Sequence, residues 1–342
     1  MSVKLKDIAE QTGFSINTVS RALRDDRRLS DATRNTIKVA AEEMGYIRNI
    51  LAESMRSNKS RTIGVIFADS ANPFYAEVIQ GIEERARRLK YSILLINTGE
   101  QAENERKAVR LLLGRQVDGL VIAPVYKDRE NLALYQSLSV PFIMVGRYIE
   151  GLKSHSILHG DAEGQAMAFE HLLRRGHKKI LYIAGPKNIS NTIDRMEGMK
   201  LAYEKYALQI DESYIFESSG HMDDGYRLAS QALERGLFFT AVVCFNDLLA
   251  FGVLKALHEK SISVPDDMEI IGFDNLAMSR FMQPGLTTVD VPKNHLGQKA
   301  VEELVYHIED ATYPYNTIHM KPRLIHRETT LDSHIQSLKT LE

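Results

Sequence analysis

Side chains that could do chemistry are crowded near the start of the chain, where arginines surround a pair of aspartates. The arginines are Arg21, Arg24, Arg27 and Arg28, and the aspartates are Asp25 and Asp26. Residues 1–60 carry 11 Lys and Arg against 8 Asp and Glu, a formal charge of +3, and the rest of the chain carries −5. The whole-chain charge of −2 hides this division and would by itself argue against a nucleic-acid partner. The basic segment favours such a partner, because clustered cationic side chains neutralise phosphates.

A second group of polar and aromatic side chains follows predicted strands in the longer, acidic part. Ligands of α/β proteins bind outside the carboxyl ends of strands, so the recurrence of such residues there predicts a ligand cleft. Planar carboxylate, guanidinium and amide groups can each meet two neighbouring sugar hydroxyls. Phe74 or Tyr75 could stack on a sugar face or could equally belong to the hydrophobic core, and Asp247 could simply cap a helix. The positions are 72–75, 124–126, 146–148, 161, 191–195, 246–247 and 274–275.

Catalytic and metal-binding motifs are not found in the sequence. It contains no G-x-G-x-x-G, Walker or G-x-S-x-G pattern. His155 and His159 are four residues apart, but the residues between them look like a strand, so a helical metal-binding pair is not expected. The single cysteine, Cys244, cannot form an intramolecular disulfide, which is typical of a reducing compartment. We expect no enzyme activity, no cofactor and no metal.

Three helices are predicted to carry the basic segment. Ser15 and Ser30 stand at the N-cap positions of the second and third helices, and Gly45 ends the third. Residues 12–14 are a tight turn between the first two helices. This spacing fits a helix-turn-helix or a helical hairpin that merely packs, and the basic charge favours the first. Apolar residues recur at helical spacing at Leu5, Ile8 and Ala9, at Ile16, Val19, Ala22 and Leu23, and at Ile37, Ala40, Ala41 and Met44.

After residue 60, short β-branched runs alternate with longer helical segments. Apolar runs without polar alternation predict strands buried on both faces, in parallel sheets with crossover helices. A closed eightfold barrel or two open sheets could hold this many units, and periodicity does not decide between them. Predicted strands are 62–67, 92–96, 117–122, 141–145, 179–184, 240–245 and 269–273; predicted helices are 73–89, 102–113, 163–175, 194–206, 225–235 and 248–259.

The overall composition is that of an ordinary folded protein. The 342 residues are 44% hydrophobic and 26% charged and include only 9 prolines, which excludes collagen-like and disordered chains. No stretch approaches eighteen consecutive apolar residues, and the first residues lack the apolar run of a signal peptide. We expect a cytoplasmic protein without a membrane partner.

Several segments together resemble one family through nearly the whole chain. They resemble the lactose/galactose repressor (LacI/GalR) family of bacterial transcription regulators. The resemblance implies a three-helix helix-turn-helix domain, a hinge helix and a sugar-binding-protein-like part made of two doubly wound parallel-sheet α/β subdomains, which favours two sheets over the barrel. The segments are LKDIAEQTGFSINTVSRAL (5–23), GYIRN (45–49), LAESMRSNKSRTIGVI (51–66), NPFY (72–75), RRGHKKILYIAG (174–185), FNDLLAFGVLKAL (245–257), IIGFDN (270–275) and LTTV (286–289).

The resemblance implies that helix two reads a palindromic DNA operator in the major groove. Position by position, Ile16, Asn17 and Arg21 are the expected base readers. Asn can bridge adenine N6 and N7, Arg can bridge guanine O6 and N7, and Ile can contact a thymine methyl group. The remaining expected DNA contacts of this helix are Ser15, Thr18, Ser20 and Arg24.

Residues 51–57 resemble the hinge helix of the family, which inserts a leucine into the minor groove at the operator centre. Met55 stands at that position, with Leu51 and Ser54 as further expected contacts. Methionine is among the apolar side chains that such wedges use. The linker 56–61 lacks apolar anchors, and we expect it to order on DNA.

The resemblance also implies a small-molecule effector, a sugar or sugar derivative, bound between the subdomains. The strongest expected contacts are Arg195 and Asp274, followed by Asn246. The other candidates are Asn72, Phe74, Tyr75, Tyr126, Arg147 and Asp161. Arg147 could indicate an anionic ligand but could also bond a neutral sugar.

The expected organisation follows from these assignments. The DNA-binding domain is 1–49, the hinge and linker 50–61, the effector-binding part 62–332 and the tail 333–342. The N-subdomain is about 62–160 and 292–322, and the C-subdomain about 161–291 and 323–332. A homodimer is expected, since the apolar positions after Thr330 are too few for a tetramerising coiled coil. The alternative function is a sugar-binding protein or sensor without a DNA-regulatory role.

Overall fold

The computed structural model describes residues 3–47, 59–125 and 129–331. The chain forms two compact units, residues 1–60 and residues 61–342, which we call the head and the body. Among the described residues, no helix is long and apolar enough to span a membrane.

The head is built from α1 (Leu5–Thr12), α2 (Ile16–Ala22) and α3 (Asp31–Glu43). The predicted N-caps are confirmed, because the Ser15 and Ser30 hydroxyls accept hydrogen bonds from the backbone N–H groups of Thr18 and Thr33. Gly13 ends α1 with a φ of +73°, a left-handed conformation that glycine adopts without strain. Except for Ile16 and Ala40, the apolar side chains at helical spacing meet in one small core around Ile8, Val19 and Ile37.

The body contains two six-stranded sheets, so the prediction of two open sheets is confirmed and the barrel is excluded. All pairings are parallel except that of β12 with β10. The first sheet has the order β11-β5-β4-β3-β1-β2 and the second β12-β10-β9-β8-β6-β7. The strands are β1 (Thr62–Phe67), β2 (Ser92–Asn97), β3 (Gly119–Ile122), β4 (Phe142–Val145), β5 (Ser156–His159), β6 (Ile180–Ala184), β7 (Ile215–Glu217), β8 (Ala241–Cys244), β9 (Glu269–Asp274), β10 (Thr287–Asp290), β11 (Ile318–Met320) and β12 (Arg323–Ile325).

Helices connect the strands, and we call each sheet with its helices a lobe. The chain passes from the first lobe to the second after β5, returns after β10, and passes again between β11 and β12. The cleft between the lobes is therefore bordered by three chain crossings. The helices are α4 (Pro73–Arg88), α5 (Ala102–Gly114), α6 (Arg129–Gln136), α7 (Asp161–Arg174), α8 (Ser190–Lys205), α9 (Met222–Glu234), α10 (Asp247–Glu259) and α11 (Lys293–Glu309).

Helices α4 and α11 of the first lobe pack at backbone distance, which two glycines make possible. A Cβ at Gly81 would collide with the backbone of Asn294, and a Cβ at Gly297 would collide with the backbone of Val78. The close approach fixes α4, whose first turn reaches the cleft, relative to α11.

Two sequence expectations need correction. Helix α8 begins at Ser190 instead of 194, because its first turn buries polar side chains that an apolar pattern does not reveal. Strand β2 was expected to be buried on both faces, but Leu94 and Leu95 are 41% and 40% exposed, since β2 is the edge strand of the first sheet.

Candidate DNA-binding surface and ligand cleft

The first turn of α2 presents its side chains to solvent. Ile16 is 49% exposed, and Asn17 is exposed beside it. The Ser15 hydroxyl accepts from the Thr18 N–H at 3.1 Å and contacts the Thr18 hydroxyl at 2.9 Å, so these two polar groups fix the start of the helix. An apolar group and an amide therefore project from a rigid helix terminus.

Arg21 lies in the second turn of α2, and Arg24 follows the end of the helix. The Arg21 Nε donates to Asp26 Oδ2 at 2.9 Å. The Arg24 Nε donates to the Ser20 carbonyl at 3.1 Å, and its Nη2 donates to the Ser20 hydroxyl at 3.3 Å. Asn17, Arg21 and Arg24 border a common surface depression, so two of the three predicted base readers, Asn17 and Arg21, lie on one face with Arg24.

Four predicted contacts lie outside the described residues. They are Leu51, Ser54 and Met55 of the expected hinge and Tyr126 of the expected effector site.

A cavity of about 100 Å³ lies between the lobes, at the carboxyl ends of both sheets. Seven of the nine predicted effector residues line it. They come from loops and helix starts that are up to 202 positions apart in sequence (from 72 to 274) yet meet at one place because parallel strands end at the same sheet edge. The seven are Asn72, Phe74, Tyr75, Arg147, Arg195, Asn246 and Asp274.

Arg195, on α8, is the most strongly held cation of the cleft. Its Nε donates to Asp161 Oδ1 at 2.6 Å, and its Nη1 donates to the Phe245 carbonyl. The guanidinium stacks on the Phe273 ring, 3.6 Å from the centroid, and on the Phe245 ring at 4.3 Å. Its side chain is only 3% exposed, and Nη2 lies 3.9 Å from Asp274 Oδ1. The arginine is thus oriented before any ligand arrives.

Asp161, also an expected effector contact, is not among the residues that line the cavity. It lies behind Arg195 and also accepts from Asn191 Nδ2 at 3.1 Å, and its Oδ2 is 2.9 Å from His159 Nδ1. Burial opposes its ionisation, but His159 and Arg195 outweigh burial and hold the pKa of Asp161 below its ordinary value. Asp161 therefore contacts three polar groups at the cleft: Asn191, Arg195 and His159.

Asp274, at the end of β9, lies beside Arg195 on the same lobe, with its Oδ1 3.9 Å from Arg195 Nη2. Burial raises its pKa to about 8, with Arg195 opposing the rise. Its backbone φ is +110°, a conformation that L-residues rarely adopt. Lys293 supports this conformation, since its buried ammonium donates to the Asp274 carbonyl at 2.6 Å and to the Asn275 carbonyl at 3.1 Å. A third contact, at 3.5 Å, joins it to Glu77 of α4.

Arg147, on the other lobe, is already paired. Its two terminal nitrogens donate to the two carboxylate oxygens of Glu100, both at 3.0 Å. The charge of Arg147 is thereby balanced within the protein, so it does not require an anionic ligand.

The start of α10 shows which of Asn246 and Asp247 caps the helix, a question that the sequence left open. Asn246, not Asp247, is the N-cap, because its Oδ1 accepts from the Leu249 N–H at 2.9 Å. Asp247 is fully buried and accepts from Leu276 N–H and from the Ser279 and Thr288 hydroxyls. It anchors the loop after β9, and burial raises its pKa to about 6.

Three hydrogen bonds join the lobes along one side of the cleft. The Tyr148 N–H donates to the Ser190 hydroxyl at 3.0 Å, and the Tyr148 hydroxyl donates to Asp194 Oδ1 at 3.0 Å. Asn191 Nδ2 donates to the Gly146 carbonyl at 2.7 Å. The first turn of α8 therefore contacts the β4 loop of the opposite lobe.

The sequence did not predict several of the residues that line the cleft. Some of them lie in segments that were considered, and others lie outside those segments. Asn191 lies in a predicted segment, but its contact with the other lobe had no sequence signal. Glu100 follows β2, and the same strand-end rule could have found it. The remaining lining residues include Asp69, His159, Ser219, His221 and Phe245.

Two family models match the chain. "Bacterial regulatory proteins, lacI family" matches residues 4–49. "Periplasmic binding proteins and sugar binding domain of LacI family" matches residues 60–330.

The chain is similar to known proteins in sequence and to solved structures in fold. The HTH-type transcriptional repressor PurR of Vibrio atlanticus (strain LGP32) is 32% identical over 326 residues, covering 95% of this chain and 98% of that protein. The Lac repressor dimer bound to operator and the anti-inducer ONPF has a TM-score of 0.89 at 27% identity, covering 97% of this chain and 100% of that chain. A LacI family regulator of Enterococcus faecium with bound ribose has a TM-score of 0.70 at 29% identity, covering 79% and 98%.

A helix-turn-helix head on a two-lobed body with a polar cleft defines a DNA-binding regulator that responds to a ligand. The matches extend over nearly the whole chain and therefore identify the family. The chain belongs to the LacI family of bacterial regulatory proteins and is a helix-turn-helix transcriptional repressor with an effector-binding body.

Proposed function

We propose that this repressor binds a palindromic operator as a homodimer in the cytoplasm and that a small carbohydrate or carbohydrate derivative in the cleft controls binding. The observation that carries the proposal is that one chain has both a polar face on α2, which carries Asn17 and Arg21, and a preorganised arginine, Arg195, in the cleft. One surface suits base edges, and the other suits a small polar ligand.

Base reading is assigned to Ile16, Asn17 and Arg21. The three side chains project from one short helix whose start is fixed by the Ser15 cap, and such a helix fits the major groove. We assign Thr18 and Ser20 to phosphate contacts and Ser15 and Arg24 to further contacts with the operator. Leu51, Ser54 and Met55 remain the proposed minor-groove contacts of the hinge.

A homodimer is supported by apolar side chains that the described body leaves exposed. Leu94 and Leu95 on β2 are 41% and 40% exposed, and Met278 and Phe281 after β9 are 58% and 68% exposed. Exposed apolar side chains on both lobes suit a second copy of the chain. The similar Lac repressor structure is of a dimer.

A carbohydrate effector is supported by the chemistry of the cleft. Carboxylate, amide, imidazole and guanidinium groups alternate around the cavity, and three rings, Phe74, Tyr75 and Phe245, border it. Such groups meet the hydroxyls of a sugar while the rings cover its apolar face. The ribose-bound regulator shows that a protein of this architecture holds a monosaccharide.

The proposed control mechanism is a change in lobe closure. A ligand that contacts Arg195 and Asp274 from one side and Phe74 from the other favours the closed cleft. The closed state contains the contacts of Tyr148 with Ser190 and Asp194. Closure shifts the first lobe, where the body begins at β1, and so biases the hinge, so that effector and operator affinities change by the same factor.

Selection of binding sites from a randomised DNA pool tests the DNA half of the proposal. The full-length protein should enrich an inverted repeat with a guanine at one position of each half-site. Arg21→Ala should remove that guanine preference, a loss of about 1–3 kcal/mol of discrimination. Enrichment of no common sequence would contradict operator recognition.

Calorimetric titration with pentoses, hexoses and their phosphorylated or uronic derivatives tests the effector half. At least one sugar should bind with a 1:1 stoichiometry per chain and change operator affinity. Arg195→Ala should abolish this response while operator binding persists, and the milder Phe74→Leu should weaken it. Binding of a free nucleobase in place of every sugar would contradict the carbohydrate assignment.

A further inference from the structure

We infer that Asp26, a loop residue outside the recognition helix, is a specificity-determining positioning residue that holds Arg21 for guanine. The inference rests on the proposed base-reading role of Arg21. In this inference Asp26 contacts no base itself, but it controls how selectively Arg21 binds guanine.

The backbone of the loop after α2 brings Asp26 back to Arg21. Asp25 has a φ of +58°, a left-handed conformation that Asp tolerates better than most residues. The chain therefore reverses, and the Asp26 N–H donates to the Arg21 carbonyl at 3.1 Å. Both the backbone and the side chain of Asp26 thus contact Arg21.

The side-chain contact uses only the inner nitrogen of the guanidinium. Arg21 Nε donates to Asp26 Oδ2 at 2.9 Å, and within the described part of the chain neither terminal nitrogen of Arg21 donates a hydrogen bond. Guanine O6 and N7 are read by two parallel N–H donors of one arginine. The geometry leaves the terminal pair available for that purpose while the carboxylate sets the plane of the fork.

The carboxylate of Asp26 is itself fixed from the opposite side. The Arg28 N–H donates to Oδ1 at 3.0 Å, and the Arg28 guanidinium donates to both oxygens at 2.8–3.2 Å. Arg34 of α3 donates to the carbonyls of Asp26 and Leu29 at 3.3 and 2.6 Å. The side chain of Asp26 is only 17% exposed as a result, whereas that of Arg28 is 79% exposed.

Holding Arg21 in advance raises selectivity for a physical reason. A free arginine side chain can reach several bases by changing rotamer and loses that freedom on binding. An arginine held at Nε in one plane forms the bidentate pair with guanine without further ordering, and it reaches other bases only by leaving Asp26. The preference for guanine over other bases should therefore depend on Asp26, while phosphate contacts should not.

Binding-site selection with matched variants of the full-length protein tests this inference. Asp26→Asn weakens the acceptor by removing its charge, and Asp26→Ala removes the acceptor. The control is Asp25→Asn, which makes the same charge change one residue earlier, where Asp25 pairs with Lys38 of α3. Asparagine also tolerates the left-handed conformation at 25. Arg21→Ala identifies the position that Arg21 reads.

We expect Asp26→Asn to lower the preference for guanine at the position read by Arg21 by roughly tenfold, and Asp26→Ala by more. The preferences at the other positions of the half-site should stay as in the unchanged protein, as should the whole profile of Asp25→Asn. Retention of the other preferences also shows that the head is folded.

Three results would overturn the inference. If Arg21→Ala removes the guanine preference but both Asp26 variants keep it, Arg21 reads the base without help from Asp26. If the Asp26 variants weaken every position equally, Asp26 only supports the fold of the loop. If Arg21→Ala leaves the profile unchanged, the base-reading role of Arg21 itself is wrong, and the inference falls with it.

Discussion

The head and the body each contain an arginine whose Nε donates to an aspartate. The pair in the head lies at the surface, and the pair in the body is buried. Arg21 in the head is held through Nε by Asp26 at 2.9 Å, and Arg195 in the body is held through Nε by Asp161 at 2.6 Å. The Arg21 and Asp26 side chains are 31% and 17% exposed, whereas those of Arg195 and Asp161 are both 3% exposed. One pair meets a large polyanion at the surface, and the other meets a small ligand in an enclosed cleft.

The difference shows what solvent exposure requires of a binding arginine. At the surface, water and salt screen the charge, so the head needs several arginines to attract DNA, and the terminal nitrogens of Arg21 donate no hydrogen bond within the described head. In the cleft every donor must have a partner, and the carbonyl of Phe245 and two aromatic rings complete the environment of Arg195. The same residue pair thus gives a screened, salt-sensitive contact in one place and a rigid one in the other.

Salt should separate the two regions most strongly. For about six to ten phosphate contacts in a dimer, raising NaCl from about 50 to 200 mM should weaken operator binding by on the order of 10³–10⁵. Effector binding should change by less than about twofold, because the cleft charges are buried and paired. Fluorescence anisotropy of operator DNA and calorimetry at the same salt concentrations provide the measurement. Equal salt dependence of the two affinities would contradict the comparison.

Removing the aspartate should also have unequal consequences for stability. Asp161→Ala leaves Arg195 buried without its carboxylate and should destabilise the body by about 3–5 kcal/mol. Asp26→Ala should leave the unfolding midpoint of the protein unchanged, because water replaces the lost contact. Urea unfolding followed by fluorescence and circular dichroism compares them. A body as stable with Asp161→Ala as without it would show that Arg195 finds another partner.

Lys293→Met tests whether the buried ammonium positions the cleft. Loss of its bonds to the Asp274 and Asn275 carbonyls should release the strained loop and weaken sugar binding by about tenfold, or about 1.4 kcal/mol. Lys299→Met, on the same helix but partly exposed and paired with Glu303, is the matched control and should bind normally. Calorimetry with the sugar identified in the panel measures both. Equal sugar affinities of Lys293→Met and Lys299→Met would show that Lys293 does not position the cleft.

The pH dependence of stability tests the raised pKa of Asp274 in the cleft. Burial raises its pKa from the ordinary value of 3.8 to about 8, so the folded state keeps a proton that the unfolded state loses. The stability that this provides is complete below pH 4 and is lost as pH rises towards 8. Asp274→Asn lacks this loss and should therefore gain in melting temperature relative to the unchanged protein as pH rises from 4 to 8.

The difference between the two proteins is the quantity to measure in that experiment. His171, whose pKa burial lowers to about 4, acts in the opposite direction: it stays neutral in the folded protein and costs stability as pH falls below its ordinary value of 6.5. Its contribution is the same in both proteins and cancels. A difference in melting temperature that is constant between pH 4 and pH 8 would contradict the raised pKa of Asp274.

Sequence reasoning worked best where function depends on local structure. The caps at Ser15 and Ser30 and the glycine turn between α1 and α2 are contacts between near neighbours, so spacing predicted them. The rule that ligands bind at the ends of parallel strands found most residues of the cleft for a similar reason, since strand ends can be recognised from apolar runs. It could not distinguish Asp161, which lies behind the cleft, from Asp274, which faces it, because both follow a strand.

The sequence by itself determined the family, the two-part division of charge, the helices of the head and the strand ends that could meet a ligand. These features can be predicted from local periodicity and from motifs. Only the tertiary structure decided which aspartate holds which arginine, that Glu100 balances Arg147, and that Lys293 connects Glu77 with the loop after β9. Those contacts join residues far apart in the chain or across a reversed loop, and their strength depends on burial, which a linear pattern does not specify.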